Sequence, residues 1–291
     1  MALSKRHHYI PQFLIKRFAD DNNMLYLYDK EKNAFAKEKR SPKSVFFDMN
    51  RNTLDFNGIP NDSIEKLYAT LDEKFSRDLA KISESEKITE EGLMSLLIMA
   101  SSLKWRLPVN DELFTTKDNH YTFDKLPISI KVTNDDGTEN REALSHLMNS
   151  EAFRQTKRII FAFLPFYDNL KLTPDKLLSF HKNSYINKRD NITSILGDSP
   201  LIESDASDIE DLDNFILPLG NSDTFICSNS KGKRVNNIAF YVNKDLAMFH
   251  QAKKYVVCRD KDHLVSIINA YQALQKERQT HFIKEHIFRF V

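Results

Sequence analysis

The sequence predicts an α+β protein, with a mostly helical middle and short strands contributed by the N-terminal and C-terminal parts. Three observations carry this. Apolar residues recur at helical spacing over two long stretches between residues 62 and 106. Short aromatic and β-branched runs, Met24-Leu25-Tyr26-Leu27-Tyr28 and Tyr255 to Cys258, lie towards the two ends. Glycine is scarce, at 6 of 291 residues, which disfavours repeated tight hairpins and glycine-rich phosphate loops. With 41% hydrophobic and 29% charged residues, the chain is expected to fold as a single α+β domain over 1–291.

The elements follow in order. Pro11 to Phe18 reads as a short helix with Pro11 at its first position, where a missing N–H costs little. Met24 to Tyr28 is a strand, Asp29 to Asn33 a polar turn, and Ala34 to Lys39 the returning hairpin partner. Residues 41–61, with Pro42, Gly58 and Pro60, read as irregular connection. Asp62 or Ser63 caps a helix on which Ile64, Leu67, Tyr68, Leu71, Phe75, Leu79 and Ile82 share a face, with Glu65 in its first turn. A second helix runs from the cap Thr89 to Trp105-Arg106, before Pro108. It is apolar nearly all round from Leu93 to Ala100, which puts it at the centre of the fold. Ile128 to Val132 is expected as a strand ended by the turn Asn134-Asp135-Asp136-Gly137, followed by helices over 139–148 and 150–163, the latter halted before Pro165. Short strands are expected at Asn191 to Leu196, Phe215 to Leu219 and Thr224 to Cys227. A helix capped by Asn243, the strand Tyr255 to Cys258 and a helix from Lys261 to Gln279 close the chain.

The net charge of +1 conceals an uneven distribution: residues 1–51 carry 11 basic and 6 acidic side chains, and residues 231–291 carry 12 basic and 5 acidic. Eight acidic residues and no basic one lie between Asp198 and Asp223. Such asymmetry permits a basic surface for a phosphate-bearing partner. No apolar run approaches the ~20 residues that span a bilayer. With no signal peptide ahead of the two cysteines, Cys227 and Cys258, a cytoplasmic protein with reduced thiols is expected, with no membrane partner.

The opening Lys5-Arg6-His7-His8-Tyr9-Ile10-Pro11-Gln12-Phe13-Leu14 raises the prospect of a site, histidine being suited to metal binding and proton transfer near neutral pH. The segment Arg6-His7-His8-Tyr9-Ile10-Pro11-Gln12-Phe13-Leu14, ending at Phe18, resembles the start of a widespread bacterial family, domain of unknown function forty-two thirty-eight. The resemblance extends to Ile64-Glu65, Arg106-Leu107-Pro108, Asp198-Ser199-Pro200 and Pro218-Leu219, with Ile195-Leu196-Gly197 departing from a Thr-Ser expected ahead of the aspartate. It implies organisation over most of the chain and no settled activity.

Adjacent histidines on extended backbone point to opposite faces, so one is expected to face a pocket and the other to be braced by packing or a hydrogen bond. Glu65 and Asp72 are seven apart on one helix and share a face, Arg106 ends the central helix, and Asp198 opens a turn. The inventory suits metal-assisted phosphodiester hydrolysis of nucleic acid or a nucleotide: His7 or His8 as base or metal ligand, Arg106 as phosphate clamp, and Glu65 and Asp198 as ligands of Mg²⁺ or Mn²⁺. Each residue has a structural counterpart: the histidines bracing the Pro11 helix, Glu65 favouring a helix start, Arg106 satisfying helix-end carbonyls and Asp198 opening a turn. The alternative reading is therefore a non-enzymatic module that binds nucleic acid or a protein, with a structural His-His motif. A compact ββα metal site is disfavoured because no histidine lies between His8 and His120, and no G-x-S-x-G supports a serine nucleophile.

Overall fold

The computed structural model describes residues 5–56, 59–84, 88–120, 129–167, 173–204, 214–228, 235 and 237–291. The N-terminal part carries β1 (Arg6–His8), α1 (Gln12–Lys16), β2 (Tyr26–Asp29), β3 (Ala34–Phe35), β4 (Phe47–Met49), β5 (Leu54–Phe56) and β6 (Ile59–Asn61). The middle is helical: α2 (Ser63–Glu84), α3 (Glu90–Arg106), α4 (Asp111–His120), α5 (Arg141–Met148), α6 (Glu151–Tyr167) and α7 (Pro174–Asn183). Strands then return as β7 (Tyr185–Lys188), β8 (Leu196–Gly197), β9 (Ile202–Glu203), β10 (Phe215–Pro218) and β11 (Asp223–Cys227). They are followed by α8 (Ile238–Gln251), β12 (Tyr255–Cys258), α9 (Lys261–Lys276) and α10 (Phe282–Phe288). This is the α+β arrangement the sequence predicts.

Strands from the two ends of the chain meet in one antiparallel sheet, ordered β3-β2-β12-β8, with Tyr255 opposite Asp29 and Val257 opposite Leu27. Alternation along β2 and β12 divides the interior. Leu27, Tyr255 and Val257 face a core shared with α1, α2 and α3, whereas Tyr28, Val256 and Cys258 face one shared with α8, α9 and α10. A second antiparallel sheet, β7-β11-β10-β9, adds its Phe215, Leu217 and Phe225 to the first core. Gly197 of β8 lies where a Cβ would come within 2.9 Å of the Ala252 Cβ, so a side chain there would push the strand off the end of α8.

Helix α3 is buried over its whole circumference, Lys104 and Arg106 included, and the Thr89 hydroxyl accepts from the Gly92 N–H as its cap. Several boundaries differ from expectation. Helix α6 runs through Pro165 to Tyr167, because a proline so near the C-terminus interrupts only the last turn. The cap of α8 is Asn237, whose side chain accepts from Ala239 N–H, so Asn243 lies inside the helix and bonds back to the Ala239 carbonyl. In Asn191 to Leu196 the backbone turns at Asn191 (φ 61°), and only Leu196–Gly197 is strand. Ile128 lies outside the described residues, and 129–132 forms no strand; the neighbouring pairing is a lone bridge, Thr133 to Glu139. Within 41–61, expected to be irregular, lie β4 and the β5–β6 hairpin. Among the described residues no helix is long and apolar enough to cross a membrane.

Candidate functional site

The two histidines sit in β1, which pairs with β4 in the register His7 to Asp48 and His8 to Phe47. Extended backbone sends their side chains to opposite faces, as expected. His7 is fully buried, and its Nδ1 accepts the Asn52 backbone N–H at 2.7 Å. Asn52 in turn donates from Nδ2 to Glu65 Oε2 at 2.8 Å. His8 lies beside Phe47, ring centroids 5.7 Å apart, and its Nδ1 accepts from the Gln12 side-chain amide at 3.3 Å. Burial, followed by the Arg106 guanidinium, pulls the His8 imidazole down to about 4 against the opposing backbone carbonyls of Pro42 and Lys43. Its Nε2 is buried with no hydrogen-bond partner. A histidine held neutral so far below the working pH is poorly matched to general acid–base chemistry.

Arg106 is 4% exposed and its donors face inward. Nη1 and Nη2 donate to the two Asp72 oxygens at 2.6 and 3.2 Å, and Nη2 also donates to the His8 carbonyl at 2.8 Å. The guanidinium carbon lies 4.3 Å from the Tyr68 ring centroid. Glu65, Tyr68 and Asp72 project from one face of α2, where i, i+3 and i+7 align, so that helix supplies the acceptor for Asn52, the stacking ring and the counter-ion together. The structure thus brings His7, His8, Glu65 and Arg106 into one cluster. Asp198 is not joined to it: its Oδ1 accepts Lys253 N–H at 2.8 Å, and its Oδ2 accepts Lys254 and Tyr255 N–H at 2.7 and 2.9 Å. The two carboxylates expected to hold a divalent ion therefore serve Asn52 and a backbone loop. Among the described residues, no group of three or more His, Cys, Asp or Glu is disposed to hold a metal ion. The remainder of the opening segment is equally committed. Tyr9, Ile10, Leu14, Ile15 and Phe18 are buried, and Arg17 donates to the Leu219 carbonyl, Ser83 Oγ and Asp223 Oδ2.

In front of this cluster lies a cavity of about 500 Å³, between the β3-β2-β12 face and the segment Ser44 to Phe47. Phe35, Phe47 and Tyr255 form aromatic walls. Each has a cation against it: Lys261 Nζ 5.3 Å from the Phe35 centroid, the Arg6 guanidinium 5.1 Å from Phe47, and Lys254 Nζ 5.1 Å from Tyr255. Lys32, Lys37 and Arg40 also line it, against a single lining acid, Asp29, which lies 3.5 Å from Lys32 Nζ. Lys37 and Arg40 make no ion pair among the described residues. Phe46, also in the lining, is 2% exposed and held at φ 55°, a left-handed conformation costly for an aromatic residue and persisting only where surroundings impose it. Those surroundings include the opening segment: Tyr9 N–H donates to the Phe46 carbonyl at 3.1 Å, and β1 fixes Phe47. Asp198 fixes Tyr255 from the other side.

Residues 6–273 match the family described as Protein of unknown function (DUF4238). The chain belongs to that family. Both histidines, Glu65, Arg106, Asp198 and the whole lining of the cleft fall within the DUF4238 match. Neither the curated proteins nor the solved structures hold a match to the chain.

Sequence reasoning named neither Asn52 nor the cleft walls, placed Tyr68 only on the apolar face of its helix, and noted Asp72 only for sharing a face with Glu65. Nothing local marks Asp72, whose role comes from a partner 34 positions away. The cleft did have a signal: Lys32, Phe35, Lys37, Lys39, Arg40, Lys43, Phe46 and Phe47 interleave cations and aromatics within sixteen residues.

Proposed function

We propose that the protein is a non-enzymatic binding protein for ligands that combine a planar base with phosphate, namely nucleotides or single-stranded nucleic acid. The observation that carries this reading is the composition of one cavity: three aromatic walls, each with its own cation, and a lining with three further cations and one acid. A base stacked on an aromatic ring contributes about 1–3 kcal/mol and does not depend on sequence, while a cationic groove follows phosphates. The His-His segment acts as a brace that holds Phe46 and Phe47 in the cleft wall. Hydrolysis by His7, His8 and Arg106 with Mg²⁺ or Mn²⁺ at Glu65 and Asp198 draws no support from this geometry, since the guanidinium is covered by Asp72 and Tyr68 and Asp198 stands apart.

The test is fluorescence anisotropy with a labelled, mixed-sequence single-stranded oligonucleotide, comparing wild type with Phe35→Ala and Phe47→Ala. Each substitution is expected to weaken binding roughly tenfold, the equivalent of one lost stack. Undiminished affinity in both variants, or no binding even at low salt, would refute it. Cleavage of the oligonucleotide with Mn²⁺ that disappears in His7→Ala/His8→Ala would restore the enzymatic reading.

A further inference from the structure

We infer that the ligand of this cleft is a strand of several linked nucleotides, not a free nucleotide, and that it continues over a three-residue bridge into a second cavity; the inference rests on the reading above. The second cavity, of about 400 Å³, is lined by Leu107, Ser199, His250, Gln251, Lys253 and Lys284 among others. Its acidic wall residue, Glu203, is neutralised by the buried Lys104 at 2.5 Å, so the balance of its lining is cationic. Tyr255 belongs to the first cavity and Lys253 to the second. Two residues of extended chain span at most about 7 Å, so the two cavities border the same short stretch of backbone.

That stretch is built to hold its shape. One Asp198 carboxylate gathers the amides of Lys253, Lys254 and Tyr255, three consecutive residues. From beneath, Lys30 Nζ donates to the carbonyls of Phe249 and Ala252, the latter immediately before the bridge. The side chains of Lys253 and Lys254 are left exposed on top, and Lys253 makes no ion pair among the described residues. Two lysines on a fixed backbone between two cationic cavities, Lys254 lying 3.6 Å from the exposed Glu31 carboxylate, suit a ligand whose negative charges repeat along its length. A free nucleotide would use the first cavity and leave the bridge and the second cavity unoccupied. Single-stranded nucleic acid supplies both the repeating phosphates and the bases that the aromatic walls require.

The experiment measures affinity for AMP and for single-stranded oligonucleotides of two, four, eight and twelve residues, using wild type, Lys253→Glu and Phe47→Ala. The expected result is affinity that climbs with length before levelling. Lys253→Glu should bind the octamer several-fold more weakly, with the salt slope reduced by about 0.7, the amount for one lost phosphate contact on a single strand. Its AMP affinity should be unchanged, because Lys253 lies outside the first cavity. AMP bound as tightly as the octamer, with Lys253→Glu indistinguishable from wild type, would overturn the strand while leaving the cleft reading intact if Phe47→Ala still weakens both. A polyglutamate peptide that displaces the octamer at equal charge would also overturn it, in favour of an acidic protein segment. Loss of any effect from Phe47→Ala would count against the cleft itself.

Discussion

His8 and Arg106 show how a side chain suited to catalysis can be fixed in a supporting role by its neighbours. In the unfolded chain the His8 imidazole takes up a proton at the ordinary value of 6.5; in the fold it does so only near 4. Between those values the unfolded state binds more protons, so stability is complete above pH 6.5 and falls as pH drops towards 4. Urea unfolding at pH 7.5 and pH 5.0 is expected to show wild type losing about 2 kcal/mol more than His8→Gln over that interval; equal losses would mean that His8 titrates normally. Arg106 answers to a different test. Arg106→Met leaves the Asp72 carboxylate without its counter-ion and is expected to cost about 3–5 kcal/mol in unfolding free energy. Arg106→Met/Asp72→Leu should recover most of that loss, because the orphaned charge goes with its partner. A double variant as unstable as the single one would point to the bond with the His8 carbonyl as the dominant contribution.

The helices of the middle were readable in proportion to how local their signals are. The Thr89 cap, the apolar circumference of α3 and its stop before Pro108 all lie within one stretch of chain, and all are realised. The hairpin partner of β2 is shorter than expected, two residues at Ala34–Phe35, because Ala36 and Arg40 pair only intermittently with Leu27 and Leu25. β1 escaped notice because three polar residues make a strand only when β4, forty positions away, offers an edge. The loop ahead of β12 is of the same kind: Asp198 looks like a turn opener in the sequence, and its work is done on Lys253 to Tyr255. Asp198→Asn replaces one of two accepting oxygens by a donor facing a backbone N–H. It is expected to cost about 2 kcal/mol, within the range for bonds to a charged group, and to weaken octamer binding as the bridge loosens. Thermal melting beside anisotropy checks both, and a variant that melts and binds like wild type would remove Asp198 from the site.

Charge read along the chain foreshadowed the cleft more closely than the motifs did. The basic excess of residues 1–51 and that of 231–291 are separate in sequence, and the pairing of β2 with β12 sets Lys32, Lys37 and Arg40 near Lys254 and Lys261 around one cavity. Which residues would converge was not readable, because convergence depends on strand order, and strand order on pairings across more than two hundred residues. The opening segment, Glu65 and Arg106, grouped in the sequence by residue type, lie together in the fold, while Asp198 does not join them. Their burial is what recasts them: groups sealed behind Tyr68, Asp72 and Asn52 shape the wall of the cleft and do not meet its contents. The most direct test compares octamer binding by wild type, Phe47→Ala and His7→Asn, with melting curves to establish that each variant is folded. Phe47→Ala is expected to bind roughly tenfold more weakly and His7→Asn, whose side-chain oxygen can replace Nδ1 as acceptor for Asn52, to bind as wild type does. A folded His7→Asn that has lost binding, beside a Phe47→Ala that retains it, would contradict the assignment of the cleft and return the site to the histidines.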